Sequence, residues 1–261
     1  LRADPKNWIW GENDDPLNPQ YGTGVINPNG SSICYLQSDP ELGYTYLIEQ
    51  SLDESNWLSM TDRRTTPGND ILPGSVQYTP DGRHILYLRK RLTSGAELWR
   101  VSSLGNEQDG QPIISGVRDE IYSINPTGDT LLLTLVGDSI TGNEEQIALV
   151  QLHTTNVKRI GAGNVSKHAW HPTRPYFIIN QDPSMLDDVT PGAIPPQHVT
   201  APQLMVVSVK DTDQRTQITR IQNGIKSSYA VSPDGRYITA IARDASTPSM
   251  LVLNWDMLSL N

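Results

Sequence analysis

Short runs of alternating apolar and polar residues follow one another along the whole chain. Alternation over about four to eight residues is typical of β-strands that bury one face. No long stretch has the period of an amphipathic helix. The pattern therefore predicts an all-β chain made of many short strands.

Five of these runs follow the same short motif: an apolar or aromatic residue, a polar residue, a proline and a tight turn. The key prolines are 52, 46, 46 and 61 residues apart: Pro28, Pro80, Pro126, Pro172 and Pro233. Proline presets φ, an Asp or Asn side chain bonds back to the backbone, and glycine accepts the left-handed conformation. The motif predicts a hairpin turn in each repeat. The fourth copy has Arg174-Pro175 in place of glycine, so its turn must differ.

A second apolar run follows each turn, and a third follows in the first four repeats. The second runs are 44–49, 97–102, 146–152, 203–209 and 249–255, and the third are 56–60, 112–115, 157–160 and 215–221. Together with the strand before each turn, they make four strands per repeat. A period of about 45 residues is typical of one four-stranded propeller blade.

We therefore predict an all-β fold, a β-propeller of about five four-stranded blades, in a single domain spanning 1–261. The approximate repeat units are 17–62, 73–116, 119–163, 165–224 and 225–261. The fifth repeat lacks a fourth strand, and residues 1–16 contain the strand-like piece Asn7-Trp8-Ile9-Trp10-Gly11. We expect this piece to complete the fifth blade, because edge strands need protection. The alternative is that the chain belongs to a larger propeller.

Two copies of the motif carry a family resemblance. Ser232-Pro233-Asp234-Gly235-Arg236-Tyr237-Ile238 and Thr79-Pro80-Asp81-Gly82-Arg83-His84-Ile85 resemble the PD40 or TolB-like propeller repeat, over about 21–257 of the chain. That family includes periplasmic TolB, non-catalytic propeller domains of serine peptidases, and some polysaccharide lyases. The fold hosts many roles, so the resemblance implies a propeller in a periplasmic or secreted setting rather than one activity.

Charge and composition exclude several classes of function. The net charge of −9 and the pI of about 5.0 disfavour nucleic-acid binding, because the phosphate backbone is also negative. The one basic run, Arg89-Lys90-Arg91, is interpreted as a solvated loop. No run approaches the ~20 apolar residues of a membrane span. The single cysteine, Cys34, lies in an apolar strand pattern and is predicted to be a buried, unreactive thiol.

The longest insertion, 181–202, lies between the second and third strands of the fourth repeat. It contains five prolines, acidic residues and apolar residues. Long loops in compact domains are usually functional or disordered, and proline reduces the entropy lost on ordering. We predict that this loop binds a protein partner. The candidate contact residues are Met185, Leu186, Asp187, Asp188, Val189 and Ile194. The alternative is a loop that packs on a neighbouring blade.

Metal and catalytic sites are not indicated. His168 and His171 lie on opposite faces if the segment is extended, so we expect no shared metal, and His171 takes a turn position that suggests a structural role. Acidic residues occur at 12–15 and at Asp119-Glu120, and their types and positions are ordinary for turns. We expect no cofactor and no catalytic residue.

The predicted function is a non-catalytic, TolB-like, protein-binding propeller scaffold. Its loops, notably 181–202, would face a protein partner or a multi-subunit assembly. One alternative is a carbohydrate-active propeller enzyme or sugar-binding lectin with a site at the central channel, which needs carboxylates about 5–10 Å apart. Another is a structural subunit of a larger assembly.

Overall fold

The computed structural model describes residues 24–39, 44–52, 57–59, 71–72, 74–91, 95–103, 110–136, 146–181, 201–242 and 249–258. Over these ranges the chain forms β-strands, and the only helical element is a 3-10 turn at Trp255–Met257. In the part of the chain that the structure describes, no helix is long and apolar enough to cross a membrane. The predicted all-β fold is confirmed.

The strands occur in the order predicted from the apolar runs. They are β1 (Val25–Ile26), β2 (Ser32–Asp39), β3 (Tyr44–Ser51), β4 (Trp57–Ser59), β5 (Gln77–Tyr78), β6 (His84–Lys90), β7 (Ala96–Ser102), β8 (Gln111–Ile124), β9 (Thr130–Leu135), β10 (Gln146–Gln151), β11 (Val157–Ala162), β12 (Tyr176–Gln181), β13 (Gln203–Ser208), β14 (Arg215–Gln217), β15 (Ile225–Val231), β16 (Tyr237–Ala242) and β17 (Ser249–Asn254).

The chain divides into two compact units, Leu1–Glu120 and Ile121–Asn261. In the N-terminal unit, β1-β2-β3-β4 form one antiparallel sheet, and β5, β6, β7 and the first part of β8 pair in that order. Its core includes Cys34, Leu47, Ile85 and Val101. The prediction of a single domain stays a prediction.

The C-terminal unit contains the end of β8, followed in sheet order by β9, β10 and β11, and two three-stranded sheets, β12-β13-β14 and β15-β16-β17. Its core includes Leu132, Ile178, Val206, Ile238 and Trp255. The last sheet has three strands, as the sequence indicated. The predicted closing strand at residues 7–11 lies outside the described residues.

Two strands differ from the prediction. In the fourth repeat, the strand expected before the turn is an isolated bridge between Trp170 and Phe177, so the sheet β12-β13-β14 has three strands instead of four. The other difference lies at the end of the second repeat. Separate runs were expected at 112–115 and before the third turn, but β8 continues from Gln111 to Ile124. Its first part pairs with β7 as far as Val117, and its last residues lead into the turn at Asn125. One strand therefore ends the second repeat and begins the third.

A recurring backbone bond relates the five repeats. In each repeat, the strand that follows the turn (β2, β6, β9, β12 or β16) pairs with the next strand (β3, β7, β10, β13 or β17). The residue after this next strand donates its N–H to the carbonyl of the residue just before the strand that follows the turn. The N···O distances are 2.8, 2.8, 2.8, 2.9 and 2.7 Å. The donors are Leu52, Ser103, Leu152, Val209 and Trp255, and the acceptors are Ser31, Arg83, Asp129, Pro175 and Arg236. Because these bonds recur, positions in different repeats can be equated without ambiguity.

The turns show why glycine is needed in four repeats and not in the fourth. Gly30, Gly82, Gly128 and Gly235 have positive φ, and each donates its N–H to the carbonyl three residues earlier. In the fourth repeat, the amides of Thr173 and Arg174 donate instead to the His171 side chain, 3.2 and 2.9 Å from Nδ1. The imidazole replaces a backbone bond, and the predicted difference in this turn is confirmed.

Two equivalent glycines allow a matched prediction. A Cβ on Gly82 would lie 2.3 Å from Oδ1 of Asn27, whereas a Cβ on Gly30 would meet nothing within 4 Å. Both glycines have φ near +70°, at 69° and 74°, so alanine is strained equally at each. Gly82→Ala is expected to cost about 1–2 kcal/mol more than Gly30→Ala, measured by urea unfolding. Equal costs would show that Asn27 moves aside freely.

Candidate functional site

The base of the long insertion in the fourth repeat is the best-defined candidate site. Strands β12 and β13 flank the insertion, and their pairing begins with Gln181 opposite Gln203. The two side chains are 1% and 0% exposed. Since β12 runs from the Pro172 turn to Gln181, the insertion leaves the sheet at the end opposite that turn. Residues 182–200 themselves lie outside the described residues.

Gln203 has all its hydrogen-bonding capacity engaged at this base. Its Nε2 donates to the carbonyls of Ala201 and Ile221, at 3.0 and 2.7 Å. Its Oε1 accepts from the Thr219 hydroxyl at 3.0 Å and from the Ile221 amide at 2.9 Å. Thr219 also accepts the amide of Leu204, 2.9 Å from its Oγ1. The side-chain amide of Gln203 therefore ties the end of the insertion to the segment after β14.

Arg215 holds the other side of the base. Its Nη1 donates to Oε1 of Gln181 at 2.8 Å, its Nε donates to the Thr212 carbonyl at 3.1 Å, and its Nη2 donates to the Ile160 carbonyl. Partial burial lowers the pKa of Arg215, and nearby Asp213 raises it. The guanidinium thus connects the strand before the insertion with β11. Gly161, with φ of 118°, leaves space beside this guanidinium.

Together these contacts make a rigid attachment for a long loop. Each buried polar group left without a partner would cost about 1–3 kcal/mol, so both ends of the insertion are held firmly. The candidate contact residues Met185, Leu186, Asp187, Asp188, Val189 and Ile194 all lie outside the described residues. The sequence singled out the loop, but it gave no sign of the base that carries it.

A second buried network contains a carboxylate that the sequence analysis missed. Oε1 of Glu49, in β3, accepts hydrogen bonds from the hydroxyls of Ser32, Tyr78 and Ser103 at 2.7, 2.8 and 2.7 Å. Glu49 is 0% exposed. The equivalent positions in the third and fourth repeats are Leu149 and Val206. The second repeat has Arg100 at this position, so a glutamate where the third and fourth repeats are apolar was the one available signal.

The Glu49 carboxylate and the burial of this network both affect the pKa values of the neighbouring Cys34 and Tyr78. Cys34 lies directly opposite Glu49 in the sheet and is fully buried. Burial raises the pKa of the Cys34 thiol well above its usual range, and the Glu49 charge raises it further. The prediction that Cys34 is buried is confirmed, and its low reactivity stays a prediction. Burial also raises the pKa of Tyr78, with Glu49 contributing in the same direction.

The basic run is part of a structural cluster in the second repeat. Nη2 of Arg91 lies 2.7 Å from Oε1 of Glu97, whose carboxylate also accepts from Trp99 Nε1 and the Ser115 hydroxyl at 3.0 Å each. The Arg89 guanidinium carbon lies 4.8 Å from the centre of the Trp99 ring. Two of the three basic side chains therefore support the sheet rather than forming a free patch.

Of the remaining candidates, the structure describes the two histidines but not the acidic side chains. His168 is exposed, and His171 is buried in its turn. Within the described ranges, no three side chains of His, Cys, Asp or Glu form a group that could hold a metal ion. Residues 12–15 lie outside the described residues. Asp119 and Glu120 belong to β8, but their side chains are not among those described.

No protein-family model matches the chain, and no curated protein matches it. Solved structures do share its fold. A putative TolB from Agrobacterium tumefaciens is 13% identical with a TM-score of 0.56, covering 92% of this chain and 79% of that one. TolB from Acinetobacter baumannii is 17% identical with a TM-score of 0.53, covering 91% of this chain and 50% of that one.

Another match is the oligogalacturonate lyase from Vibrio parahaemolyticus, 11% identical with a TM-score of 0.60, covering 91% of this chain and 63% of that one. At such low identities these likenesses concern the fold alone. The chain has a β-propeller fold of the kind found in TolB. The number of blades and the PD40 type of the repeats stay predictions.

Proposed function

We propose that the protein is a non-catalytic, protein-binding propeller that presents its long fourth-repeat loop to a protein partner or a larger assembly. The observation that carries the proposal is the buried base formed by Gln181, Gln203, Arg215 and Thr219. A loop that served only as a connection would not need both ends tied by fully buried glutamines. Functional loops on a rigid scaffold are a common arrangement for binding.

The base favours binding because it lowers the cost of ordering the loop. Association costs free energy for every segment that must be immobilised, and a preorganised attachment reduces that cost. The five prolines of the insertion act in the same direction by fixing φ. The combined effect is a loop that loses less entropy than a flexible connection of equal length.

The composition of the insertion indicates the chemistry of the partner. Residues 182–202 contain three aspartates, Asp182, Asp187 and Asp188, and no lysine or arginine. They also carry the apolar candidates Met185, Leu186, Val189 and Ile194. An apolar groove with a basic rim would complement these features, since opposite charges steer association and apolar anchors supply affinity.

The two buried carboxylates, those of Glu49 and Glu97, do not favour the carbohydrate-active alternative. Glu49 and Glu97 are both enclosed in hydrogen bonds that hold neighbouring strands. A glycosidase-type mechanism needs two carboxyl groups facing one substrate. The binding of a sugar at the central channel therefore stays a prediction without support from these residues.

Loop replacement tests the proposal. One variant exchanges 182–200 for a short Gly/Ser linker, and the control exchanges 137–145, the corresponding connection of the third repeat, for the same linker. Both variants must match the unmodified protein in far-UV circular dichroism and in melting temperature. We expect the unmodified protein and the control to retain a specific protein from the native source, and the 182–200 variant to lose it.

Point variants separate the two contributions of the loop once a partner is in hand. Replacing Leu186 and Val189 by serine should weaken binding at all salt concentrations. Replacing Asp187 and Asp188 by asparagine should weaken it chiefly at low salt, where charge attraction is least screened. Retention of the same partner by the 182–200 variant would contradict the proposed function.

A further inference from the structure

His171 lies in a contact between the fourth and fifth repeats that leaves its ring no freedom. His171 is 3% exposed. Its imidazole meets the Trp255 ring edge-on, at a centroid distance of 4.6 Å. On another side, a Cβ added to Gly235 would lie 2.6 Å from Cε1 and 2.7 Å from Nε2 of the imidazole. Any larger residue at position 235 would collide with the ring.

The hydrogen bonds of the ring determine which nitrogen carries the proton. Nδ1 accepts the amides of Thr173 and Arg174, so it carries no proton in the folded state. In the neutral ring the proton is therefore on Nε2. An imidazolium would direct a second N–H from Nδ1 at two N–H donors. The charged ring is thus incompatible with the turn as it is folded.

The contact also contains polar atoms that are poorly satisfied. Among the described residues, neither Nε2 of His171 nor Nε1 of Trp255 makes a hydrogen bond of regular geometry. Trp255 is completely buried. Buried donors without good partners reduce the stability of the contact they belong to. Each of these two atoms therefore lowers the stability of the contact between the two repeats.

We propose that His171 is an acid-sensitive latch between the fourth and fifth repeats. Uptake of a proton at Nδ1 breaks its two bonds to the turn amides and releases the ring from Trp255 and Gly235. The sheets β12-β13-β14 and β15-β16-β17 remain folded. The inference stands independently of the loop and its proposed partner.

The charged groups around His171 contribute, together with burial, to the shift of its pKa. Its own turn carries Arg174, the segment after β17 carries Asp256, and the fifth turn carries Asp234 and Arg236. Nη2 of Arg174 lies 2.7 Å from Oδ1 of Asp256, and both side chains are about half exposed, at 47% and 57%. Burial lowers the pKa of His171 and Arg174 lowers it further, while the Gly235 carbonyl and Asp256 raise it.

The lowered pKa means that the folded protein holds this proton less tightly than the unfolded chain does. The stabilising contribution of the contact is therefore fully present above the ordinary histidine pKa of about 6.5, and it is lost as the pH falls below that value. Acid opens the latch and neutral pH closes it.

The other repeats provide a replacement that does not titrate. The equivalent positions hold Asn27, Thr79, Asn125 and Ser232. Asn27 makes the same contact with the next turn, since its Nδ2 donates to the Gly82 carbonyl at 3.0 Å and its Oδ1 accepts the Asn29 amide at 3.2 Å. His171→Asn should therefore keep both the turn bond and the contact with the next repeat.

Hydrogen exchange tests the latch on the full chain. Peptides covering 168–175 and 250–258 are followed from about pH 8 to about pH 5, with rates corrected for the intrinsic pH dependence of exchange. We expect both regions to lose protection in acid while β12 and β13 keep theirs. His171→Asn should abolish this pH dependence, and His153→Asn, at an exposed histidine, should not change it.

Two results would overturn the inference. One is an unchanged acid response in His171→Asn, and the other is simultaneous loss of protection in β12 and β13, which would indicate general unfolding. If His171→Asn does not fold, the ring of His171 in the unmodified protein can be titrated by NMR. A pKa below the ordinary histidine value of about 6.5 supports the latch, and a pKa at or above that value refutes it.

Discussion

Replacing Glu49 by alanine is expected to lower the free energy of unfolding of the N-terminal unit by about 3–5 kcal/mol. The substitution leaves the buried hydroxyls of Ser32 and Tyr78, and the partly buried hydroxyl of Ser103, without the carboxylate oxygen to which all three donate. It also removes buried side-chain volume. Hydrogen exchange in β2, β3 and β6 during urea titration measures the loss, with β12 and β13 as internal references in the other unit.

A combined variant separates the orphaned hydroxyls from the lost volume. Glu49→Leu introduces the residue type found at the equivalent position of the third repeat. Together with Ser32→Ala, Tyr78→Phe and Ser103→Ala, it leaves no hydroxyl to satisfy. Replacing a buried polar group and its partners by apolar groups is often close to neutral. The combined variant should recover most of the stability, and failure to do so would assign the loss to packing.

The strands and turns were predictable because their signals are local. Apolar runs identified β3, β10, β13 and β17 to within about two residues. The interiors of β10 and β13 are buried on both faces, which favours a continuous apolar run. Pro-Asp-Gly identified the second and fifth turns through the φ values that proline and glycine permit. The long course of β8 was missed because its pairing partners, not its own residues, decide where it ends.

Glu49 could not be recognised from the sequence because its partners are distant. Ser32, Tyr78 and Ser103 are 17, 29 and 54 residues away along the chain. A glutamate next to a predicted strand end is ordinarily read as exposed. The recurring backbone hydrogen bonds align the repeats, and only this alignment shows that the position is apolar in repeats three and four.

The insertion itself was visible in the sequence, but its attachment was not. Prolines and spacing identify a long loop, because they reflect chain length and local stiffness. Gln181, Gln203 and Arg215 resemble ordinary polar strand residues, and their burial depends on β11 and on the segment after β14. His171 was predicted to be structural from its turn position. Its proposed sensitivity to acid rests on the two turn amides that donate to Nδ1 and on the burial of the ring against Trp255, which sequence spacing does not reveal.

Replacing Gln203 by leucine is expected to cost about 3–5 kcal/mol, because four buried or partly buried polar groups lose their partner at once. These groups are the Ala201 and Ile221 carbonyls, the Ile221 amide and the Thr219 hydroxyl. Gln146→Leu is the matched control, since Gln146 begins β10 as Gln203 begins β13 but is only half-buried. Urea unfolding of the C-terminal unit gives both losses.

The same pair of variants tests whether the base controls the loop. If Gln203 fixes the insertion, hydrogen exchange in peptides covering 182–202 should accelerate in Gln203→Leu under conditions where β12 and β16 remain protected, and it should be unchanged in Gln146→Leu. Equal costs for the two variants would mean that the surrounding groups find other partners. Faster exchange in the strands as well as the loop would mean that Gln203 stabilises the sheet generally. Acceleration confined to the loop requires the buried glutamine to act as its anchor, and partner binding should then weaken in proportion to the ordering that is lost.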